Sequence, residues 1–190
     1  MRNLGGDTPA NLAGSFLAAH PNMLDPNFRR SVLFISAHDP VDGALGVIIN
    51  RPLDKHVSDL VNELPPVGLA DVPVFLGGPV GKNQLMFATF EWEKGQGLKL
   101  NHNVDVEKAN ELVGSDPASV RAFVGYAGWG AGQLEAEMKE NAWLVHKPHR
   151  AQARESSQTL VQYHARLRAL VQNAGRGAGQ SVIELVNSDW

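Results

Sequence analysis

Residues 124–135 read Val-Gly-Tyr-Ala-Gly-Trp-Gly-Ala-Gly-Gln-Leu-Glu, with glycines at 125, 128, 130 and 132. The apolar run from Arg121 to Ala127 just before the turn predicts a buried strand, and Ala131 to Asn141 predicts an amphipathic helix. Gly128, Gly130 and Gly132 leave the backbone bare where strand becomes helix, so N–H groups there can be approached closely. The free amides of the helix start point to the same place, which suits an anion. Tight packing of a helix against a strand beside Trp129 accounts for the same glycines without any ligand. Glu135 would compete with an anion for those amides. The spacing is neither a Walker loop nor a dinucleotide fingerprint.

Upstream, Ser31 to His38 and Ala44 to Asn50 are near-continuous apolar runs, as expected for strands inside a sheet. Asp39-Pro-Val-Asp-Gly43 reads as the hairpin joining them, and Ser15 to His20 as a further strand. Pro21-Asn-Met-Leu-Asp-Pro26 is a loop, since two prolines and an Asn/Asp pair resist both helix and ladder. Pro52 is expected to end its strand, with a short helix from His56 to Leu64 stopped by Pro65-Pro66. Val72 to Leu76 is a strand running into Gly77-Gly-Pro-Val80. Leu85 to Trp92 pairs with Leu98 to Asn101 across a glycine-bearing turn.

Downstream, Asn103 or Asp105 caps a helix to about Val113, Ala142 to His146 is a strand, and Ser157 to Gln172 is an amphipathic helix. Ala174 to Gln180 is a glycine-rich joint, followed by a short element at Ser181 to Val186. The mixture of a clear hairpin with interleaved helices predicts an α+β fold, one domain around a mixed sheet. Residues 1–150 form the body; residues 151–190 form a C-terminal helix and tail packed on it or flanking it.

Candidate ligand groups cluster at strand ends and at the glycine turns. Asn50-Arg51-Pro52 closes a buried strand, where Arg51 could clamp a carboxylate or phosphate bidentately. It could equally pair with Asp25 or Asp54 and pin a loop. Gly77 and Gly78 expose backbone N–H groups and gain interest if they face Gly128, Trp129, Gly130 and Gln133. Arg30 and His38 are possible neighbours of that site. A hydrolase using Ser31 or His38 is a third, weaker reading, because no nucleophile-elbow motif surrounds Ser31. The seven histidines form no metal-binding pair of the usual spacing. Nothing in the pattern calls for a metal or a cofactor.

Bulk properties set the outer bounds. The chain has 190 residues, no cysteine and a net charge of −3, which argues against general nucleic-acid binding and fits a reducing cytoplasm. Neither a signal peptide nor an apolar run of membrane-spanning length is present. The charge is uneven. Residues 146–180 hold Lys147, Arg150, Arg154, Arg166, Arg168 and Arg176 against Glu155 alone. That stretch reads as a solvated basic face that pairs with the acidic body, or as a docking surface for an acidic partner, another subunit or a nucleic-acid backbone.

Several ordered motifs resemble one family. They are Gly14-Ser-Phe-Leu-Ala-Ala19, Pro21-Asn-Met-Leu-Asp-Pro-Asn-Phe28, Arg30-Ser-Val32, His38 and Gly43-Ala-Leu-Gly-Val-Ile-Ile-Asn-Arg-Pro52. Further along the chain come Gly77-Gly-Pro-Val80, the 125–135 segment and Asn141-Ala-Trp143. Over about residues 12–148 the chain resembles the bacterial AlgH/YqgE family. The resemblance implies a mixed sheet curled towards a barrel, with helices packed outside, in a bacterial cytosolic protein. It supplies no catalytic residues, and through one member's link to alginate regulation it implies a regulatory or protein-interaction role as the alternative to ligand binding.

Overall fold

The apolar runs become the middle of a sheet buried on both faces. The computed structural model describes residues 11–148, apart from 62, 64, 95, 96, 117 and 118. Among them, β1 (Phe16–Ala19), β2 (Val32–Asp39) and β3 (Gly43–Ile48) form an antiparallel group, with β9 (Trp143–His146) on the far edge of β1. The hairpin between β2 and β3 is an Asx turn, in which Asp39 Oδ1 accepts from the Val41 and Asp42 N–H groups. A bulge at Ser36 re-aims β2, and the Ser36 hydroxyl donates to the Leu45 carbonyl.

The long strand β8 (Val120–Trp129) joins two groups of strands. Its last residues pair with β3, and its first half pairs with β5 (Pro73–Leu76) in parallel and β6 (Val80–Glu93) antiparallel. β6 in turn pairs with β7 (Gly97–Val104), and β4 (Pro52–His56) edges β5. The sheet is mixed and curls into a half-barrel with few helices, consistent with an α+β fold.

Neighbouring residues along each inner strand enter different cores, which is why the sequence reads as unbroken apolar runs. Phe16, Val32, Phe34, Val47, Ala88, Leu100 and Phe123 meet in the space between the two strand groups. Leu17, Leu33, Ile35 and Ile48 turn the other way, towards Leu134 of α3 (Gln133–Lys139). Val74, Phe87, Val120 and Ala122 back onto α1 (Val67–Ala70) and α2 (Val106–Ser115) through Leu69, Ala109 and Val113. Asp105 caps α2 by accepting from the Lys108 N–H at 2.7 Å.

Three expected elements differ. Pro52 begins a strand instead of ending one: β4 is a sheet edge, so its missing N–H costs no ladder bond. The expected helix at His56–Leu64 is a single 3₁₀ turn, Val57–Asp59, because Asp54 takes a left-handed φ of 52° and β4 pairs through to His56. The strand before the glycine turn also runs past Ala127 to Trp129, and only then does the chain turn. The expected elements at 157–172 and 181–186, and most of the basic 146–180 stretch, lie outside the described residues.

Candidate functional site

Arg51 and Asn50 hold the Pro21–Arg30 loop from beneath. The Arg51 guanidinium donates to the Asn27 carbonyl at 2.6 Å and to the Arg29 carbonyl at 2.9 Å. Asn50 accepts from the Val32 N–H at 2.8 Å and donates to the Arg30 carbonyl at 3.0 Å. Arg30 itself sits at φ 59° with its side chain in solvent. Burial lowers the Arg51 pKa, the Arg29 charge lowers it further, and Asp25 acts in the opposite sense.

That loop carries Phe28 over Trp129, with stacked rings 6.0 Å apart, and edge-on to Trp143 at 5.6 Å. Both indole N–H groups donate to one oxygen, Oε2 of Glu137, at 3.0 and 2.8 Å. Gln133 donates to the other oxygen and accepts the Gly130 N–H at 3.1 Å. The amide offered by the glycine turn is therefore already bonded, and α3, at seven residues, is short. Gly128 lies within β8, exposed, and Gly130 faces open space.

His38 lies on the same side of the sheet. Its Nδ1 accepts the Leu12 N–H at 3.0 Å, so the ring proton belongs on Nε2, which contacts Glu135 Oε1 at 2.8 Å. Glu135 turns to His38, away from the first-turn amides where the sequence placed it. The Ser31 hydroxyl donates to the Phe28 carbonyl at 2.6 Å and is buried. Neither group is left to serve the other as nucleophile or base.

Gly77 and Gly78 face Gly125 and Tyr126. A Cβ on Gly77 would stand 2.2 Å from the Gly125 carbonyl oxygen, and one on Gly125 (φ 73°) 2.6 Å from that of Gly78. Bare backbone here lets two chain segments cross. The structure links Arg30, Asn50, Arg51 and Trp129 through one loop, and His38, Gln133 and Glu137 through α3. It sets Gly77 and Gly78 against the middle of β8.

Reasoning from the sequence missed Arg121. It opens β8 opposite Ala88, on the face shared with Phe123, and its guanidinium carbon lies 5.3 Å from the centre of the Phe75 ring. Its side chain makes no hydrogen bond or ion pair among the described residues. Loss of hydration pushes its pKa down to about 10. Across the ladder, the bulge between Phe87 and Thr89 sets His102 and Asn103 opposite Ala88. His102 Nε2 is buried and unpartnered among the described residues, as is Trp92 Nε1 on the same face of β6, and burial lowers the His102 pKa. The one signal available in the sequence was an arginine in phase with Phe123 on an apolar strand. Among the described residues no three His, Asp or Glu side chains gather as a metal site, and no helix is long and apolar enough to cross a membrane.

A family model described as "DUF179: AlgH-like" matches residues 16–190. The chain belongs to the AlgH-like family. It is 41% identical to the UPF0301 protein azo3459 of Azoarcus sp. (strain BH72), a match covering 72% of this chain and 77% of that protein. A UPF0301 protein of Dechloromonas aromatica (strain RCB) is 36% identical, over 71% of this chain and 77% of its own length. Among solved structures, the AlgH protein from Pseudomonas aeruginosa superposes with a TM-score of 0.60 at 27% identity, covering 95% of this chain and 96% of that one. Protein DIP2367 from Corynebacterium diphtheriae shares the fold, with a TM-score of 0.57 at 24% identity over 77% of this chain and 80% of its own. The names of these relatives give no ligand and no reaction.

Proposed function

We propose that this AlgH-like protein is a cytosolic binder of a small anionic ligand, seated on Arg121 and not at the glycine turn. One observation carries the reading: a largely buried guanidinium rests on an aromatic ring with no anionic partner among the described residues. Taking a charge out of water without pairing it is expensive, so such groups normally meet a carboxylate. An arriving anion would supply the missing charge-assisted hydrogen bonds. Arg51 is the weaker candidate, because backbone carbonyls already occupy its fork.

A thermal-shift screen against nucleotides, sugar phosphates, carboxylates and simple anions tests the reading. A ligand at 100 times its Kd stabilises by roughly 2.7 kcal/mol. Saturable stabilisation that is lost in Arg121→Met and kept in Arg51→Ala supports it. A flat screen rejects it in favour of a protein-interaction role for the surface.

A further inference from the structure

Resting on that reading, we infer that the ligand is a monocarboxylate with an apolar body, its carboxylate on Arg121 and its hydrocarbon or ring against the inter-sheet core. Charge count is the first argument. The neighbours of Arg121 on this face, Ala88, Phe75 and Phe123, are uncharged. His102 lies across Ala88 and is held towards its neutral form by burial. One guanidinium balances one negative charge. A phosphate dianion would leave its second charge in an apolar setting with no counterion, which low polarity penalises heavily.

The shape of the donor group is the second argument. A guanidinium presents a planar fork that matches a carboxylate with two parallel N–H···O bonds. The Arg121 guanidinium carbon sits over the Phe75 ring at 5.3 Å, a contact that uses none of its N–H donors. The third argument is the surroundings. Beyond the cation the face continues as Met86, Ala88, Phe90, Leu98, Leu100 and Phe123, a lining that suits hydrocarbon and offers nothing to sugar hydroxyls. Arg121 keeps part of its surface exposed to solvent.

Calorimetric titration of the full chain with octanoate, octan-1-ol and inorganic phosphate, repeated on Arg121→Met, decides the matter. The inference predicts saturable octanoate binding, at least tenfold weaker octanol and phosphate, and octanoate binding at least tenfold weaker in Arg121→Met. Arg121→Lys should fall between wild type and Arg121→Met, because it keeps the charge and loses the fork. Phosphate binding that needs Arg121, without octanoate binding, overturns the inference and leaves the anion reading standing. Equal affinity for octanol and octanoate overturns it as well, since the cation would then be idle. No binding by either anion, or octanoate binding unchanged in Arg121→Met, overturns both. A cooperative melt of Arg121→Met at or above the wild-type Tm shows that any lost binding is not lost folding.

Discussion

Two arginines on the same sheet have opposite surroundings. Arg51 lies in the link between β3 and β4 and places both arms of its fork on backbone carbonyls of the Pro21–Arg30 loop, with Asp25 nearby. Arg121, near the start of β8 and more deeply buried, rests on an aromatic ring, and its side chain has no hydrogen bond or ion pair among the described residues. A satisfied buried cation belongs to the structure, because its bonds offset the hydration it gave up. An unsatisfied one destabilises the free protein and persists where something outside the chain completes it. By that standard the glycine turn, whose Gly130 amide is capped by Gln133, groups with Arg51.

The contrast can be broken or sharpened by mutation. The largest loss is expected for Gly125→Ala, where a methyl group would stand 2.6 Å from the Gly78 carbonyl oxygen at a φ of 73°. Overpacking together with left-handed strain costs about 3 kcal/mol or more, read as a fall in the urea midpoint. A neutral result would remove Gly77–Gly78 and Gly125 from the structural half of the comparison. Glu137→Ala comes next. It strips the acceptor from two buried indole N–H groups, a loss of about 2–4 kcal/mol at roughly 1–3 kcal/mol for each orphaned donor, less any water that enters.

Arg51→Ala should cost about 1–2 kcal/mol for two backbone acceptors. Faster amide exchange should be confined to residues around 27–31, and any anion affinity should be unchanged. Loss of anion binding in that variant would reverse the roles of the two arginines. The smallest effect belongs to His102. Its folded pKa lies below the ordinary 6.5, so the unfolded chain takes up the proton first. Stability present above pH 6.5 is lost as pH falls below it. His102→Gln should flatten part of that acid-side loss in unfolding curves between pH 7 and 5. An unchanged pH slope would show that His102 contributes nothing to it.

The inner strands were legible because both faces of β2, β3 and β8 are buried, which writes the pattern locally as unbroken apolar residues. Asp39 and Gly43 wrote the hairpin, and Asp105 wrote the start of α2. Misreadings arose where a distant partner decides. Gly128 looks like part of the turn, yet it lies within β8, and Gly125, read within the strand, is needed where Gly77 and Gly78 cross it. Pro52 looks like a terminator until β4 is found on a sheet edge. Arg51 stood out in the sequence through its place at a strand end, but the carbonyls that occupy it lie 22 and 24 residues away. Arg121 was inconspicuous because one cation on an apolar strand faces either solvent or core, and only the curl of the sheet decides which.

The most direct test of the account is equilibrium unfolding of Arg121→Met beside the wild type, without ligand, from pH 7 to 11. A guanidinium held at about 10, well below its usual value, costs the folded state about 3 kcal/mol at neutral pH. The cation–π contact with Phe75 returns about 1 kcal/mol of that. The variant should therefore be more stable by about 2 kcal/mol at pH 7. Because the folded pKa lies below the unfolded one, the wild type should close that gap as pH rises past 10. A variant less stable than wild type at pH 7 would mean that Arg121 already has its counterion within the chain, and the vacant anion seat would not exist.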